Sequence, residues 1–355
     1  MIPRIMLTAE NRNVWAKTAI RVGAIALGLA VSALLIMATG KSPTMVFGTM
    51  FTGAFGSKFG FTETLVRTTP LLLCSLGIAL ASRMQLWNIG AEGQFYMGAF
   101  GAAFVALKFS HLPAVVLLPA MVAAGALMGG LWCLIPGMAR AYLSTNETIT
   151  TLLLNYVAVN WVSYLVYGPW KDPKGYNFPL TPTFADSATL PILTGRVHVG
   201  LILALALAAF FWWMQQNSRW GYEIRVIGES PAAAEYAGMN IKRNILLVMF
   251  VSGALAGLAG MMEVSGVLHR LQKDLSPGYG YTAIIITYLA QRNPLAIILV
   301  AFLFGGLQAG AYSIQTKGVP LATAYMIQGA ILFCVLGAEL FTTSRLRLQW
   351  RKEAA

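Results

Sequence analysis

The stretch from Pro113 to Pro136 reads PAVVLLPAMVAAGALMGGLWCLIP and contains no charged side chain. About 20 apolar residues in a helix cross the hydrocarbon core of a bilayer, which is about 30 Å thick, because each residue advances the helix by about 1.5 Å. A helix that is apolar on all sides is stable in lipid or in a protein core, not in water. The stretch therefore predicts a transmembrane helix.

Further apolar runs lie on both sides of this one. We predict spanning helices at 22–38, 68–82, 88–107, 113–136, 148–168, 199–214, 244–267, 294–313 and 321–341, and all 25 Lys and Arg residues fall outside them. The first run follows a basic leader, and we interpret it as an uncleaved span. A shorter run at 281–290 covers about half of the core, so it is either a short tilted helix or a re-entrant half-helix shielded by its neighbours.

The composition excludes most soluble classes of protein. Hydrophobic residues make up 57% of the 355 residues and charged residues 11%, whereas a soluble domain has about 45–50% and about 25%. This argues against a soluble enzyme and against a disordered chain. The net charge is +12, but the basic residues lie between apolar runs, as is typical of loops beside a bilayer. We expect contact with membrane lipid and none with nucleic acid.

Three basic clusters set the predicted orientation. They precede the first span, lie in the loop 215–243 and end the chain: Arg4, Arg12, Lys17 and Arg21; Arg219, Arg225, Lys242 and Arg243; Arg345, Arg347, Arg351 and Lys352. The positive-inside rule places all three in the cytoplasm. Two cytoplasmic termini require an even number of crossings, and counting 281–290 as a crossing gives ten.

The prediction is therefore an all-α, polytopic membrane protein with about ten transmembrane helices, one of them short or re-entrant. The chain 1–355 forms a single transmembrane domain with a cytoplasmic N-tail 1–21, outer loops 39–67 and 169–198, a cytoplasmic loop 215–243 and a cytoplasmic C-tail 342–355. Met45 to Phe61 is expected to lie along the interface as a short amphipathic helix. Five prolines predict irregular structure in 169–198.

Glycines four residues apart recur in the predicted spans, at Gly125/Gly129, Gly253/Gly257 and Gly306/Gly310. Such spacing lets two helices approach closely. A chain with 35 glycines also produces such pairs by chance, so both interpretations stay open here.

Catalytic motifs are absent from the sequence. It contains no GxxxxGK[ST] nucleotide-binding motif and no HExxH metal motif, and it shows no Ser/His/Asp set. The three histidines, His111, His198 and His269, are far apart along the chain. We therefore expect no catalytic residue, no metal site and no cofactor on this chain. Any energy-requiring function of this chain must therefore use an ion gradient or a partner protein as its energy source.

The loop 215–243 contains a self-contained helix signal. Ser230 is a favoured N-cap, Pro231 suits the first helical position, and Gly238 accepts the left-handed conformation that ends a helix. The alanines between them favour helix. The pattern predicts a helix of about seven residues, about 10 Å long. It is either a docking element for another protein or a plain capped loop helix.

Several polar residues enter or flank the apolar spans. The candidates for a substrate pathway are Asn88, Glu92, Gln94, Tyr96, Asn146, Glu147, Asn155 and Tyr156. A carboxylate near hydrocarbon must face protein or water, so Glu92 has a partner or lines a cavity. The structural alternative is capping, with Asn88 and Asn146 as N-caps and each glutamate in a first turn. The tyrosines either stack on a base or sugar, or belong to packing and the aromatic belt.

Three segments carry a resemblance to a known family. LWNIGAEGQ at 86–94 with FYMG at 95–98, TNETITTLLLNY at 145–156 and GYGY at 278–281 are similar to segments of permease subunits of ATP-binding-cassette importers. The branch they resemble is the branched-chain amino acid/ribose-type permease family, within its nucleoside and simple-sugar group. The resemblance covers roughly residues 60–340. The loop departs from the general permease signature at Ala232, where a glutamate is expected.

The resemblance implies a function and a set of partners. It implies nucleoside translocation across the cytoplasmic (inner) membrane of a prokaryote, powered by ATP and Mg on separate ATPase subunits. It also implies a second, different permease subunit and an extracytoplasmic substrate-binding protein. The ATPase would dock on a coupling helix formed by Glu229, Ser230, Pro231, Ala232, Ala233, Ala234, Glu235, Tyr236, Ala237 and Gly238.

Two other functions stay open. Within the family, a ribose-type or other simple-sugar permease fits the same motifs. Outside it, an ion-coupled secondary transporter is less favoured, because it would need an essential intramembrane carboxylate such as Glu92 or Glu263.

Overall fold

The computed structural model describes residues 2–9 and 14–351. Residues 1, 10–13 and 352–355 lie outside the description, and with them Arg12 and Lys352 of the predicted terminal clusters. The chain forms two compact units, which we call the terminal unit (Met1–Gly53 with Gly310–Ala355) and the central unit (Ala54–Ala309).

Thirteen α-helices are present in the described ranges. They are α1 (Val14–Ala38), α2 (Pro43–Phe55), α3 (Lys58–Arg83), α4 (Ala91–Lys108), α5 (Ala114–Leu143), α6 (Glu147–Tyr167), α7 (Gly200–Asn217), α8 (Arg219–Glu229), α9 (Pro231–Tyr236), α10 (Ile241–Glu263), α11 (Tyr279–Leu289), α12 (Pro294–Gln315) and α13 (Ala322–Thr343). A π-helical turn at Val264–Leu268 extends α10, and a 3₁₀ turn occupies Asp186–Ala188.

Four short strands depart from the all-α prediction. They are β1 (Ile2–Ala9), β2 (Ile192–Thr194), β3 (Val197–His198) and β4 (Ser344–Arg351). In the terminal unit β1 pairs antiparallel with β4, from Ile2 opposite Arg351 to Ala9 opposite Ser344. In the central unit β2 pairs with β3 inside the predicted irregular loop 169–198.

Each of the ten apolar segments coincides with a helix, namely α1, α3 to α7 and α10 to α13. Six helices are apolar and long enough to cross a membrane in the part of the chain that is described, and α1 with α2, bent by 115°, makes up to seven. Ten crossings are therefore not confirmed by length and composition. The 18 residues of α4 include Glu92, Gln94 and Lys108, and α11 has only 11 residues.

The predicted outer loop 39–67 is largely helical. The helix α2 covers most of the segment Met45 to Phe61, for which an interfacial helix is predicted, and α3 begins at Lys58. Ser57 caps α3 by accepting a hydrogen bond from the Gly60 N–H at 3.0 Å. Threonines in the first turns hydrogen bond to carbonyls of the preceding turn, as Thr64 does to Gly60 O at 3.0 Å. These local bonds satisfy the hydroxyls, so the polar residues do not stop the helix.

The core of the central unit is built from α4, α5 and α10, which pack through glycines. A Cβ atom at Gly98 would overlap the backbone of Gly257, and one at Gly129 would lie 2.6 Å from the Gly257 Cα. A Cβ at Gly253 would overlap the Gly129 carbonyl. The contacts predicted for Gly125/Gly129 and Gly253/Gly257 are confirmed. Gly306 meets the Phe55 ring in the central unit, and Gly310 meets Met50 in the terminal unit.

Candidate functional site

The chain is non-helical between α3 and α4, at 84–90, although Leu86 and Asn88 are buried there. Buried backbone groups outside a helix need other partners. One face of α6 supplies them. Trp87 N–H donates to Glu147 Oε1 at 3.3 Å, and Ile89 N–H donates to Thr151 Oγ1 at 3.2 Å. These side chains are four residues apart, so they lie above one another on the helix.

The Asn88 and Gln94 amides form a reciprocal pair across this break. Asn88 Nδ2 donates to Gln94 Oε1 at 2.9 Å, and Gln94 Nε2 donates to Asn88 Oδ1 at 2.8 Å. Asn88 Nδ2 also donates to Ser252 Oγ at 2.9 Å, and that hydroxyl donates to Gly77 O at 2.7 Å. The pair therefore ties the break to α3 and α10, and both amides are engaged within the protein.

The Glu92 carboxylate lies between two helix N-termini. It stands in the first turn of α4, and its Oε2 accepts a hydrogen bond of 2.7 Å from Gly280 N–H, in the first turn of α11. The Ser276 hydroxyl donates to the same carboxylate. A Cβ at Gly280 would lie 2.6 Å from the Glu92 Cα, so only glycine permits this approach. Helix N-termini carry partial positive charge, and a buried carboxylate compensates both of them.

Asn155 and Tyr96 add hydrogen bonds that join α6 and α4 to the break 84–90 and to the start of α11. Asn155 Oδ1 accepts from Gly93 N–H at 2.8 Å, while its Nδ2 donates to Ile89 O at 2.9 Å and to the Tyr281 hydroxyl at 3.3 Å. The buried Tyr96 hydroxyl accepts from Ser276 N–H at 3.4 Å. We call the set Asn88, Glu92, Gln94, Tyr96, Glu147 and Asn155 the helix-break cluster.

The opposite face of α6 carries a polar aromatic strip. Tyr156, Asn160 and Tyr164 are all exposed and lie four residues apart, with Tyr156 62% and Tyr164 62% exposed. Tyr281 of α11 is 40% exposed. Hydroxyl and amide groups on an apolar helix favour contact with protein or a polar path over lipid. We call Tyr156, Asn160 and Tyr164 the α6 strip.

The loop 215–243 contains two helices. α9 matches the predicted capped helix, because Ser230 Oγ accepts from Ala233 N–H at 3.3 Å and Gly238 has a φ of +72°. Tyr236 is 97% exposed, whereas Ala234 is fully buried. Ala234 thus packs against the chain itself, and the other side chains of α9 are exposed.

The second helix, α8, was missed. Its inward positions are Gly221, Ile224 and Ile227. Toward its C-terminal end, Gly228 lies against the Arg83 carbonyl at the end of α3, and a Cβ there would be 3.0 Å from the Arg83 carbonyl carbon. α8 therefore connects α9 directly to the helix that precedes the break.

Comparison with known proteins identifies the family of this chain. Residues 60–336 match the family described as branched-chain amino acid transport system/permease component. The chain belongs to this family. It is a permease subunit of an ATP-binding-cassette importer and a multi-pass membrane protein.

Three relatives align along most of their length. The glucose ABC transporter permease protein TsgB13 of Haloferax volcanii is 37% identical, with 90% of this chain and 87% of the relative covered. The guanosine ABC transporter permease protein NupP of Bacillus subtilis is 34% identical, with coverages of 88% and 91%. The nucleoside ABC transporter permease protein NupB of Lactococcus lactis is 30% identical, with coverages of 88% and 88%.

The permease brings six of the eight candidate pathway residues together, as the helix-break cluster. Asn146 lies outside it, exposed at the start of α6, where its Oδ1 accepts from Thr148 N–H at 3.0 Å. Tyr156 also lies outside it, on the α6 strip. Asn88 does not cap α4 as predicted, because the N-cap position is Gly90. In this conformation the cluster is a structural network.

Sequence reasoning missed Thr151, Ser252, Ser276 and Gly280. A usable signal existed for the first, since Glu147, Thr151 and Asn155 repeat every four residues and so share a helix face. The partnership of Glu92 with Gly280 spans 188 residues. It has no local signal.

We predict that Glu92→Gln weakens the fold more than it changes substrate recognition. The amide keeps an oxygen for the Gly280 N–H but loses the charge between two helix N-termini. The variant should melt several degrees lower, about 1–2 kcal/mol in unfolding free energy, and should show a lower maximal uptake rate with an unchanged KM.

Thermal melting and uptake kinetics check this prediction. Glu235→Gln, which removes an exposed carboxylate from α9, is the matched control and should leave the melting temperature unchanged. A Glu92→Gln protein that melts normally and has lost uptake would instead identify Glu92 as a substrate contact.

Proposed function

We propose that this permease subunit translocates nucleosides into a prokaryotic cell across the cytoplasmic membrane, with ATP hydrolysed on separate subunits. One observation carries the proposal. The exposed helix α9 is linked through α8 to the end of α3, directly before the helix-break cluster. A docking surface outside the membrane is thereby connected to discontinuous helices within it, and such helices are where transporters place their moving parts.

The mechanism follows from this connection. The coupling surface consists of the outward side chains of α9, namely Pro231, Ala232, Ala233, Glu235 and Tyr236. ATP with Mg closes the partner ATPases, which displace α9 and α8 as one piece. Gly228 transfers the displacement to Arg83, because there is no space between them. α3 and the helix-break cluster then move as a rigid body, and the path opens to alternate sides.

The α6 strip is the proposed wall of the path. Tyrosine rings stack on planar bases, and the Asn160 amide offers hydrogen bonds to a nucleoside. Two of the relatives are named for guanosine or nucleosides, which supports this substrate class. The relative with 37% identity is named for glucose, which supports the sugar alternative. A second, different permease subunit would supply the facing wall.

Contacts within the central unit support ten crossings with cytoplasmic termini. Residues of the predicted outer loops meet one another, as Arg196 meets Glu63 at 2.9 Å and Thr181 N–H meets Leu271 O at 2.9 Å. At predicted cytoplasmic ends, Arg83 meets Arg292 O at 3.3 Å. Since Leu271 precedes α11 and Arg292 follows it, these contacts favour counting α11 as a crossing.

The remaining partners complete the proposal. An extracytoplasmic binding protein delivers the substrate to the outer loops. We expect ATP hydrolysis and its Mg on the partner subunits, with no catalytic group and no cofactor on this chain. Ion coupling is disfavoured for Glu92, whose carboxylate is held by Gly280 and Ser276.

Uptake by the assembled transporter tests the substrate. Cells or vesicles containing both permeases, the ATPase and the binding protein should accumulate labelled guanosine, and a 100-fold excess of unlabelled glucose or ribose should not compete. Uptake of labelled glucose or ribose together with no uptake of guanosine would establish the sugar alternative. Uphill accumulation in vesicles that contain this chain alone would overturn the ATP-driven mechanism.

The docking role of α9 is tested by two neighbouring alanines. Ala233→Arg adds a large cation on the exposed side, so co-purification of the ATPase should be lost while the melting temperature is kept. Ala234→Arg places the same side chain at a fully buried position, so it should lower the melting temperature instead. Thr183→Arg in the predicted outer loop serves as the control and should keep the ATPase. ATPase retention by Ala233→Arg would contradict the docking role.

The contact between Gly228 and Arg83 predicts an uncoupling variant. Gly228→Ala inserts a methyl group where no space exists, so α8 must move away from α3. We expect the ATPase to stay bound and the nucleoside transported per ATP to fall at least fivefold. Gly23→Ala in α1, where a Cβ meets no atom within 4 Å, is the matched control. An unchanged ratio of transport to hydrolysis in Gly228→Ala would refute transmission through this contact.

A further inference from the structure

Three arginines lie near one another where helices of the central unit end. Arg83 is the last residue of α3, Arg292 follows α11, and Arg225 lies on α8. Arg83 Nη2 donates to Arg292 O at 3.3 Å, and Arg292 Nη1 donates to Ser82 O at 3.2 Å. Arg225 Nη2 donates to Gln215 O, near the end of α7, at 2.9 Å. We call these three residues the arginine cluster.

The arginine cluster carries more positive charge than its surroundings compensate. The ends of α3, α7 and α11 contribute about half a negative charge each, against three guanidinium charges that are close enough to act on one another. None of the three arginines forms an ion pair with a carboxylate among the described side chains. The Nε of Arg83 is buried and makes no hydrogen bond. A buried donor of this kind needs an acceptor.

An opening at the cluster has the chemistry of an anion site. It is lined by Arg83, Arg225, Gln215, Gln216, Gly221 and Ile224, and the Arg225 side chain is exposed to the outside. Its charged lining is wholly basic, and its other polar side chains are amides that can donate. The planar fork of N–H groups on arginine matches the oxygens of a phosphate group.

Aromatic residues beside the cluster point to a lipid as the source of the phosphate. Trp87 stacks on Tyr288 with ring centroids 5.2 Å apart, and Trp87 is 45% exposed. Tyr288 hydrogen bonds the Ser82 side chain, and Arg292 binds the Ser82 carbonyl. Exposed tryptophan and tyrosine at the ends of apolar helices mark the level of the lipid headgroups. Basic pockets at that level on the cytoplasmic side bind anionic headgroups.

We propose that the arginine cluster binds the phosphate of an anionic phospholipid of the cytoplasmic leaflet. The placement in that leaflet rests on the proposed orientation, and the binding chemistry does not. Because Arg83 also contacts Gly228, the bound phosphate screens the three charges where α8 meets α3. The lipid therefore stabilises the contact that transmits the movement of α9.

Thermal melting of the purified full-length transporter in detergent tests the site. Phosphatidylglycerol should raise the melting temperature by several degrees, while phosphatidylcholine and inorganic phosphate at the same concentration should not. Arg83→Gln and Arg225→Gln should each remove most of the phosphatidylglycerol effect. Arg219→Gln, which removes an exposed cation from the same helix as Arg225, should retain it. If Arg83→Gln does not fold, Arg225→Gln carries the test, since its side chain is exposed.

Three outcomes overturn the proposal. The first is a phosphatidylglycerol effect that is undiminished in both variants. The second is an equal rise with inorganic phosphate, which would make the ligand free phosphate rather than lipid. The third is the absence of any lipid effect together with loss of ATPase co-purification in Arg225→Gln, which would assign the cluster to a protein carboxylate. Since melting in detergent does not depend on membrane orientation, a failure here leaves the proposed orientation and substrate untouched.

Discussion

A buried backbone polar group outside a helix must find its partner within the protein, and this requirement governs both helix breaks of the permease. The break 84–90 takes its partners from Glu147, Thr151 and Asn155 on one face of α6. The break before α11 takes a partner from Thr181, whose hydroxyl accepts from Leu271 N–H at 3.0 Å. Glu92 joins the two breaks, because its carboxylate belongs to the first turn of α4 and binds the first turn of α11. Without that negative charge, two positive helix ends would face each other in a medium of low dielectric constant.

The burial of α3 supports the proposed coupling, in which a short external helix moves this assembly. α3 is 89% buried along its apolar length, whereas α5 and α6 are 28% and 33% buried. A close-packed interior transmits displacement because it has few voids to absorb it. Ser75 and Thr287 fasten α3 to α11 at two points, through bonds of 3.3 Å to Ala283 O and 3.0 Å to Ser75 O. In the proposed mechanism, movement at Arg83 therefore reaches α11 and, through Gly280, the Glu92 carboxylate.

What the sequence predicted was local. The ten apolar segments coincide with helices because hydropathy over about 20 residues is a property of the segment itself. Ser230, Pro231 and Gly238 likewise specify the ends of α9 through their own backbone preferences. α8 is not predicted from the sequence, because its amphipathic pattern mixes charged residues with Ile224 and Ile227.

What could not be predicted depends on tertiary packing. Tyr156 and Asn155 are adjacent in the chain, yet one is 62% exposed and the other 1%. Only the rotation of α6 against α4 decides which of them enters the helix-break cluster. Tertiary packing likewise decides that Ala234 is buried while the adjacent Ala233 is exposed. The sequence predicts that Glu92 has a partner, since a buried carboxylate needs one. It does not predict which partner, because Gly280 lies 188 residues away in the chain.

At the end of α3, two electrostatic effects oppose one another: attraction between each arginine and a helix C-terminus, and repulsion between the arginines. Helix C-termini favour positive charge, so an arginine at each of three converging ends is favourable taken singly. Taken together, the guanidinium groups repel, and the repulsion grows as α8 closes on α3. An anion bound between the guanidinium groups turns their net repulsion into net attraction through the anion, without altering any protein contact. With the proposed lipid bound, the strength of the contact between Gly228 and Arg83 depends on the leaflet around the protein as well as on the protein itself, and the proposed coupling then depends on the lipid as well as on the ATPase.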